Sequence, residues 1–179
     1  PVPGHEVNVL DLDGIPTKEE GEVAIKRGSA SMMLEYWRRP NQTEEKFNGD
    51  WLLTGDRGQF HAEGIKFIGR DDDVINSAGY RIGPSEVEDC LLMHPAVATV
   101  GIVGKPDRSR GEIVKAYVVV KVGHKADDDL IISLQDFVKQ RLAKHLYPRE
   151  ISFLEELPMT VTGKVIRRKL REKAVLECK

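Results

Sequence analysis

The sequence predicts an α+β protein in two parts, a small β-rich part and a compact α+β domain with a short sheet flanked by helices. In the first part, short apolar segments of strand length alternate with turn residues. The second part alternates helical and extended patterns without the signature of a complete parallel sheet. Three aspartates at 71–73, whose charges repel one another and resist burial, mark the boundary. We therefore predict parts covering residues 1–69 and 74–179, joined by residues 70–73.

The composition is that of a globular chain. Of 179 residues, 40% are hydrophobic and 31% charged, which is too apolar for a disordered protein. A formal net charge of -2 gives no overall attraction to nucleic acid or to an anionic membrane. No apolar run approaches the roughly 20 residues that span a bilayer, so no membrane span is predicted. Cys90 and Cys178 lack metal-ligand spacing, which predicts no metal site and a reducing compartment such as the cytoplasm.

Alternating and β-branched segments predict the elements of the first part. Glu22 to Lys26 alternates apolar and polar residues as a half-buried strand does. Pro40 opens a segment that predicts one or two helical turns. The string from Thr54 to Gly58 is best explained, in isolation, as a turn between two short strands. Further strands are predicted at residues 7–10, 51–54, 58–61 and 65–69.

The second part begins with a predicted hairpin around Asn76 to Gly79, in which the glycine supplies a positive φ. Pro84 suits a first helical turn, and Ser85 with Glu88 has the spacing of a capping box, so a helix should begin there. Strands at 97–103 and 113–122 follow, with a polar loop from Gly104 to Gly111 between them. Further predicted elements are a helix after the aspartates at 127–129, a strand at 151–154 and a helix at 167–175.

Four local features could carry chemistry, and each also has an ordinary structural explanation. Asp56 could accept two hydrogen bonds from a ligand diol, although a turn explains it as well. Arg70 offers a planar fork of donors for phosphate or ribose, although alone it is better explained by a surface ion pair. Gly79 could bring backbone against an extended ligand with Arg81 nearby, or be only a turn glycine. Lys164 follows a glycine, and its ammonium could bind phosphate or simply be solvated.

The basic end of the chain leaves two further possibilities open. Residues 164–179 contain seven Lys or Arg and two Glu, which favours a solvated helix face over contact with a polyanion. The sequence contains no Gly-rich phosphate-binding loop and no nucleophile with a triad-like base. Taken singly, these signals do not define an activity.

Taken in order, the features form a specific set. It comprises WLLTGDRG at 51–58, GRDDDVINSAGYRIGPSEVEDCLLMHPAV at 69–97, PDRSRGEIVKAYVV at 106–119 and YPREISFLEELPMTVTGKVIRRKLR at 147–171. Over essentially its whole length the chain thereby resembles the adenylate-forming (AMP-binding) acyl-CoA synthetases, with relatives in firefly luciferase and peptide-synthetase adenylation domains. GYRIGPSEVE with RGEIVKAYVV is most similar to the short- and medium-chain fatty acyl-CoA or acetyl-CoA branch.

The resemblance implies roles in nucleotide chemistry for three residues and a hinge role for a fourth. Asp56 would hold the ribose hydroxyls of ATP, with Arg70 assisting. Lys164 matches the lysine of the adenylation half-reaction, in which a carboxylate and ATP form acyl-AMP and pyrophosphate. Asp72 matches the hinge about which a mobile C-terminal domain rotates. The ammonium of Lys164 would stabilise the negative charge that builds on the phosphoryl oxygens in the transition state of the adenylation half-reaction.

The resemblance implies that the second half-reaction uses another face of the same domain. Gly79 corresponds to a glycine whose backbone lines the pantetheine channel, and Arg81 to a position that contacts phosphate or CoA. The acyl group would pass to CoA with release of AMP. The implied small molecules are thus a carboxylic acid, ATP, CoA and Mg²⁺, the last bound mainly by a larger N-terminal domain.

By the same resemblance, residues 1–69 are the last piece of the large AMP-binding domain and 74–179 the mobile C-terminal domain. The phosphate loop, the adenine and acyl pockets and the Mg²⁺-binding glutamate are not in this sequence. We therefore expect the chain to be part of a longer enzyme, inactive alone, whose N-terminal domain is its partner. A transit peptide on such a parent would place it in the mitochondrial matrix.

Two alternatives remain open at this point. An adenylation enzyme could load a carrier protein in place of CoA, as peptide-synthetase-like enzymes do. A binding module could instead contact nucleic acid through its basic tail, although the even global charge argues against this, and no nucleic-acid partner is predicted.

Overall fold

A computed structural model describes residues 3–178, so Pro1, Val2 and Lys179, at the outer ends of the two predicted parts, lie outside the described residues. The chain divides into two compact units, the first ending at Asp72 and the second beginning at Asp73. Each unit contains one five-stranded sheet, and the described residues also form four helices. The α+β prediction is therefore confirmed. None of the helices within residues 3–178 is long and apolar enough to cross a membrane.

The first unit is an antiparallel sheet with one short helix. Its strands pair in the order β1-β2-β4-β3, and β5 also pairs with β4. Strand β4 is thus the centre of the unit. The elements are β1 (Val7–Leu10), β2 (Gly21–Lys26), α1 (Pro40–Glu44), β3 (Phe47–Asn48), β4 (Trp51–His61) and β5 (Gly64–Arg70).

The predicted turn from Thr54 to Gly58 is wrong, because β4 continues through this string without interruption. Gly55 takes a φ of +80° inside the strand, a conformation open to glycine but strained for other residues. The register with β5 shifts between Arg57 and Gly58, and the register with β2 shifts between the Glu22–Arg57 and Ala24–Leu53 pairs. The string is a bulged strand, and bulges re-aim side chains next to binding sites.

The second unit places a mixed sheet between helices. Its strands pair in the order β10-β9-β6-β7, with β8 also on β9; only the β10–β9 pair is parallel in the described sheet. The elements are β6 (Ile75–Ser77), β7 (Tyr80–Ile82), α2 (Pro84–Leu92), β8 (Val97–Asp107), β9 (Gly111–Val120), α3 (Asp128–Arg141), β10 (Glu150–Phe153) and α4 (Arg167–Leu176).

Successive residues of β8 and β9 face opposite sides of this sheet, as strand geometry requires. Ile102 and Ala116 belong to a core that includes buried residues of α2 and α3. Val103 and Tyr117 belong to a second core with Leu170 of α4. The sheet therefore separates α2 and α3 on one face from α4 on the other. Cys90 is buried in the first core, and Cys178 is exposed after α4.

The polar loop predicted from Gly104 to Gly111 is mostly strand. The β8–β9 pairing continues to Asp107 opposite Gly111 and leaves only a tight turn. The Asp107 carboxylate closes that turn by accepting hydrogen bonds from the backbone nitrogens of Ser109 and Arg110. These bonds lower the pKa of Asp107, the bonds from Ser109 having the largest effect. A polar composition thus marked a short turn between two long strands.

The predicted capping box of α2 is also wrong, although the helix begins where expected. Its N-cap is Gly83, which offers no side chain, and Pro84 occupies the first turn. The Glu88 carboxylate instead accepts a hydrogen bond from the backbone nitrogen of Ile102 and binds Arg167. A distant strand and helix therefore outcompete the local cap for this carboxylate.

Candidate functional site

Asp56 and Arg70 are brought together in the first unit, although fourteen positions separate them in the sequence. They are direct register partners on the neighbouring strands β4 and β5. Asp56 is half-buried, whereas Arg70 is exposed and its Nε lies 3.3 Å from Oδ1 of Asp72. Directly opposite residues share one face of a sheet, so the pairing puts an acidic and a basic residue side by side, a combination that can bind both a diol and a phosphate.

Gly55 lets a second cation approach the same place. A side chain built there would put its Cβ 3.2 Å from Nη2 of Arg70 and 3.7 Å from Nζ of Lys46. Lys46, Thr54 and Arg70 also line a small pocket of about 250 Å³ with four other residues, Met33, Tyr36, Leu52 and Leu53. Sequence reasoning missed Lys46, since nothing nearby in the chain distinguishes it from a surface lysine.

Arg57, the residue after Asp56, is buried and holds the start of the acidic run. Its Nε donates to Glu20 at 3.0 Å and its Nη1 donates to Asp71 at 3.3 Å. The backbone nitrogen of Asp71 also donates to the carbonyl oxygen of Gly55 at 2.8 Å. These contacts attach Asp71 to the bulged part of β4. The sequence contained no local signal for them, because Glu20 lies 37 positions away, in the bend before β2.

The turn that contains Gly79 is a tight two-residue connection between Ser77 and Tyr80. Ala78 and Gly79 have φ values of +50° and +84°, the pattern of a type I′ hairpin turn. A Cβ on Gly79 would meet nothing within 4 Å, so the residue is required for its backbone conformation and leaves its outer face open. Arg81 is exposed one residue past Tyr80, opposite Asn76. Both predicted residues therefore lie on one hairpin.

Lys164 lies on a second tight turn, closed almost entirely through the backbone. The backbone nitrogen of Thr160 donates to the carbonyl oxygen of Lys164 at 2.8 Å, and Gly163 nitrogen donates to Thr160 oxygen at 2.9 Å. The hydroxyl of Thr160 accepts from Lys164 nitrogen at 3.0 Å. Gly163 has a φ of +77°. The backbone is thus well ordered while the Lys164 side chain is exposed, as a mobile ammonium on a fixed base should be.

The acidic run is not uniformly exposed, which corrects the expectation that all three aspartates resist burial. The Asp72 side chain is 66% exposed, but that of Asp73 is only 10% exposed. The carboxylate of Asp73 accepts hydrogen bonds from Arg167 at 3.2 Å and from Arg171 at 3.0 Å. Paired charges can be buried where single ones cannot. Asp73 is therefore fixed to α4 of the second unit.

Arg167 also binds α2, through Glu88. Its Nη2 and Nε lie 2.5 and 3.2 Å from the two carboxylate oxygens of Glu88, a forked geometry that lysine cannot reproduce. Burial disfavours the charged guanidinium, but the hydrogen bonds and charges of Glu88 and Asp73 outweigh it and raise the pKa of Arg167. The basic tail is therefore partly neutralised by its own unit.

A separate charged cluster lies on the α4 face of the sheet, near the end of that helix. Nζ of buried Lys115 donates to Glu150 at 3.0 Å and also to Glu177, and the Tyr117 hydroxyl donates to Glu177 at 3.2 Å. Lys105 donates to Glu150 at 2.7 Å, a bond that raises the pKa of Lys105. Burial together with the Glu177 charge raises the pKa of Tyr117. The cluster joins β8, β9, β10 and α4.

The comparisons with known proteins agree with this architecture. The family model described as the AMP-binding enzyme C-terminal domain matches residues 86–164. The chain is 45% identical over 175 residues to acetyl-coenzyme A synthetase of Bacillus subtilis (strain 168), covering 96% of this chain and 31% of that protein. It is 44% identical over 180 residues to the human protein acyl-coenzyme A synthetase ACSM1, mitochondrial, covering 96% and 31% respectively.

A solved structure shows the same fold. The anthranilate CoA ligase AuaEII, in complex with anthranoyl-AMP, superposes with a TM-score of 0.88 at 36% identity, covering 99% of this chain and 35% of that one. The chain thus spans about a third of the length of the relatives it matches. It is similar over nearly its whole length to part of these CoA ligases, and residues 86–164 carry the match to the C-terminal domain of AMP-binding enzymes.

Proposed function

We propose that the chain is the C-terminal part of an AMP-forming acyl-CoA synthetase. The parent would convert a carboxylate and ATP to acyl-AMP and pyrophosphate, then transfer the acyl group to CoA and release AMP. The observation that carries this proposal is the Asp56–Arg70 pair on one unit together with two separate turns, at Gly79 and Lys164, on the other. The relatives named as acetyl-CoA and acyl-CoA synthetases support it.

The apolar surface of the first unit supports a larger neighbouring domain. Among residues 3–72, the buried apolar residues are only Val9, Leu10 and Ala24, and large side chains such as Leu34 and Trp37 are 93% and 78% exposed. A sheet of this size with so few buried side chains has little hydrophobic stabilisation of its own. We propose that residues 1–69 complete a larger AMP-binding domain, residues 70–73 form the hinge and residues 74–179 form the mobile domain.

In the adenylation step, Asp56 would accept hydrogen bonds from the ribose hydroxyls of ATP. Arg70 and Lys46, which converge on Gly55, would attract the phosphates. The Lys164 ammonium would be brought to the α-phosphate and stabilise the negative charge that develops as the carboxylate attacks. Its exposed position on a short, ordered turn suits a group that must reach into another domain.

In the thioester step, the backbone of the Gly79 turn would line the path of the pantetheine arm, with Arg81 near the CoA phosphates. Lys164 and Gly79 lie on different turns of one unit, so we propose that rotation about Asp72 exchanges them at a single active site. Asp72 suits a pivot, since its side chain is largely exposed.

Mg²⁺ is an implied group that the described residues do not fit. Residues 3–178 contain no group of three or more His, Cys, Asp or Glu side chains that could hold a metal ion. We propose that residues elsewhere in the parent hold the ion that accompanies ATP.

The central test uses the full-length parent and measures carboxylate-dependent ATP–pyrophosphate exchange. Asp56→Asn should lower kcat/KM for ATP by about tenfold to a hundredfold, the effect of losing charged hydrogen bonds. Asp50→Asn, an exposed carboxylate before β4, is the matched control and should leave the exchange unchanged. Unaltered ATP kinetics in Asp56→Asn would contradict the proposal that Asp56 binds the nucleotide.

A second test concerns the chain by itself. The purified 179 residues should form no acyl-AMP and release no pyrophosphate, and either product would refute the need for a larger domain. The acyl acceptor is tested with the parent: CoA should yield an acyl thioester and free AMP. Transfer to a phosphopantetheine-bearing carrier protein but not to CoA would favour carrier loading.

A further inference from the structure

Arg167 lies where three segments of the proposed mechanism meet. It is the first residue of α4, three positions after Lys164. Its guanidinium contacts Asp73, the residue after the proposed pivot, and Glu88, on the helix that follows the Gly79 hairpin. These partners are 94 and 79 positions away in the sequence. One side chain thus joins the pivot, the Gly79 side of the domain and the base of the Lys164 turn.

The Lys164 turn is rigidly connected to the start of α4. The backbone nitrogen of Ile166 donates to the carbonyl oxygen of Pro158 at 2.8 Å, and Met159 pairs with Val165 across the turn. The short connection therefore has two inter-segment ties within two residues of Arg167. Wherever the first turn of α4 lies, the base of the Lys164 turn must lie with it.

Apart from the packing of buried Leu170 in the second core, the first turn of α4 has few contacts that hold its end. Its N-cap, Ile166, makes no side-chain hydrogen bond, and the turn contains no acidic residue. The ion pairs of Arg167, supported by that of Arg171 on Asp73, supply negative charge at this end from outside the helix. The opposite end is held separately, through Glu177 and Lys115. Loss of the Arg167 contacts would therefore release the Lys164 end of the helix first.

We propose that Arg167 is a positioning residue for adenylation, which fixes the base of the Lys164 turn relative to Asp73. Arg167 contacts no substrate. It keeps the Lys164 turn at a fixed position relative to Asp73, so that rotation at Asp72 always brings the Lys164 ammonium to the same place. This inference rests on the proposed function. A misplacement of about 1 Å in a reacting group can cost a hundredfold in rate, so a fixed base has a clear advantage.

The test is a double-mutant cycle in the full-length parent, read as the rate of acyl-AMP formation. Arg167→Ala should lower this rate by about tenfold to a hundredfold when Lys164 is present. In a Lys164→Gln background the same change should have less than about a twofold effect, because a residue that acts only through Lys164 has nothing left to position. Arg168→Ala, whose side chain is 78% exposed, is the matched control and should change neither rate.

Two further readouts separate positioning from general damage. Amide hydrogen exchange in residues 158–166 should be faster in Arg167→Ala, while exchange in α3 stays unchanged. Glu88→Gln should reproduce a smaller version of the same cycle, because glutamine can still accept the bond from Ile102 but loses its charge. If Arg167→Ala does not fold, the Glu88→Gln cycle decides the question alone.

The outcomes distinguish this inference from the proposed function. Equal loss in both backgrounds, or no loss with Lys164 present, would overturn the positioning role and leave the adenylation role of Lys164 intact. If Lys164→Gln alone leaves acyl-AMP formation unchanged, the proposed function of that lysine fails first.

Discussion

Lys115 and Lys164 belong to the same unit and have the same chemistry, but their surroundings are opposite. Lys115 is buried on the sheet and its ammonium is bound by Glu150 and Glu177. Lys164 is exposed, and the hydrogen bonds that fix it run through its backbone. A buried ammonium held by two carboxylates contributes to folding and is not accessible to a substrate. An exposed ammonium on an ordered turn contributes little to folding and remains available for chemistry.

The strongest test of this contrast replaces Lys115 by a side chain of similar volume. Lys115→Met should lower the free energy of unfolding by about 1 to 3 kcal/mol, because it removes the buried cation that binds the partly exposed carboxylates of Glu150 and Glu177. Urea unfolding of the 179-residue chain, followed by far-UV circular dichroism, measures this. Lys164→Met is the control and should change it by less than about 0.5 kcal/mol. Equal effects would remove the distinction between the two lysines.

Enzyme activity, in contrast to stability, should depend strongly on Lys164. Lys164→Gln in the full-length parent should slow acyl-AMP formation by about 10² to 10³, the cost of losing one transition-state contact. Thioester formation from preformed acyl-AMP should be nearly unchanged, because that step uses the Gly79 turn. Lys169→Gln, on an exposed face of α4, provides the comparison. Similar losses in both half-reactions would contradict the assigned role.

The turn beneath Lys164 allows a smaller perturbation. Gly163→Ala should destabilise the turn by about 1 to 2 kcal/mol, because alanine is strained at a φ of +77°. Faster hydrogen exchange confined to residues 158–166 would report it. Gly123→Ala imposes the same backbone strain, at a φ of +94°, on a different loop and should leave that segment unaffected. An unchanged turn in Gly163→Ala would show that the glycine is not needed there.

The smallest expected effect is a pH dependence of the Lys115 cluster. Burial raises the pKa of Glu150, but hydrogen bonds and charges from Lys105 and Lys115 outweigh it, so the net shift is downward. Its contribution to stability is therefore present above the ordinary glutamate pKa of about 4.3 and is lost as the pH falls through the lower folded-state value. On acidification, the urea midpoint of Glu150→Gln should fall less steeply than the midpoints of the unsubstituted 179-residue chain and of Glu63→Gln. Parallel slopes would contradict this assignment.

The sequence predicted the fold class and most elements, because hydrophobic periodicity and turn residues are local signals. It failed where distant residues changed a local preference. The string around Gly55 has the composition of a turn, yet pairing on both sides keeps it in a bulged strand. Glu88 has the spacing of a helix cap, yet Arg167, 79 positions away, binds it instead.

The residues of the candidate site also fall into those that the sequence predicted and those that it missed. Asp56, Arg70, Gly79, Arg81 and Lys164 could be selected from short strings. The structure pairs the first two, places Gly79 and Lys164 on turns and places Arg81 on strand β7 of the Gly79 hairpin. Their roles remain proposals. Arg57 and the Arg167 contacts could not be selected, because an ion pair between segments far apart in the chain leaves no periodic or spacing signal in either segment.

The placement of the two thiols gives a practical means of following the proposed rotation. Burial raises the pKa of Cys90, whereas Cys178 is exposed, so a maleimide dye at neutral pH should attach selectively after α4. Both tryptophans, Trp37 and Trp51, lie in the first unit. Energy transfer from these intrinsic donors to a single acceptor dye on the 179-residue chain would therefore report the distance between the two units, and the spread of that distance would measure how freely the second unit turns about Asp72.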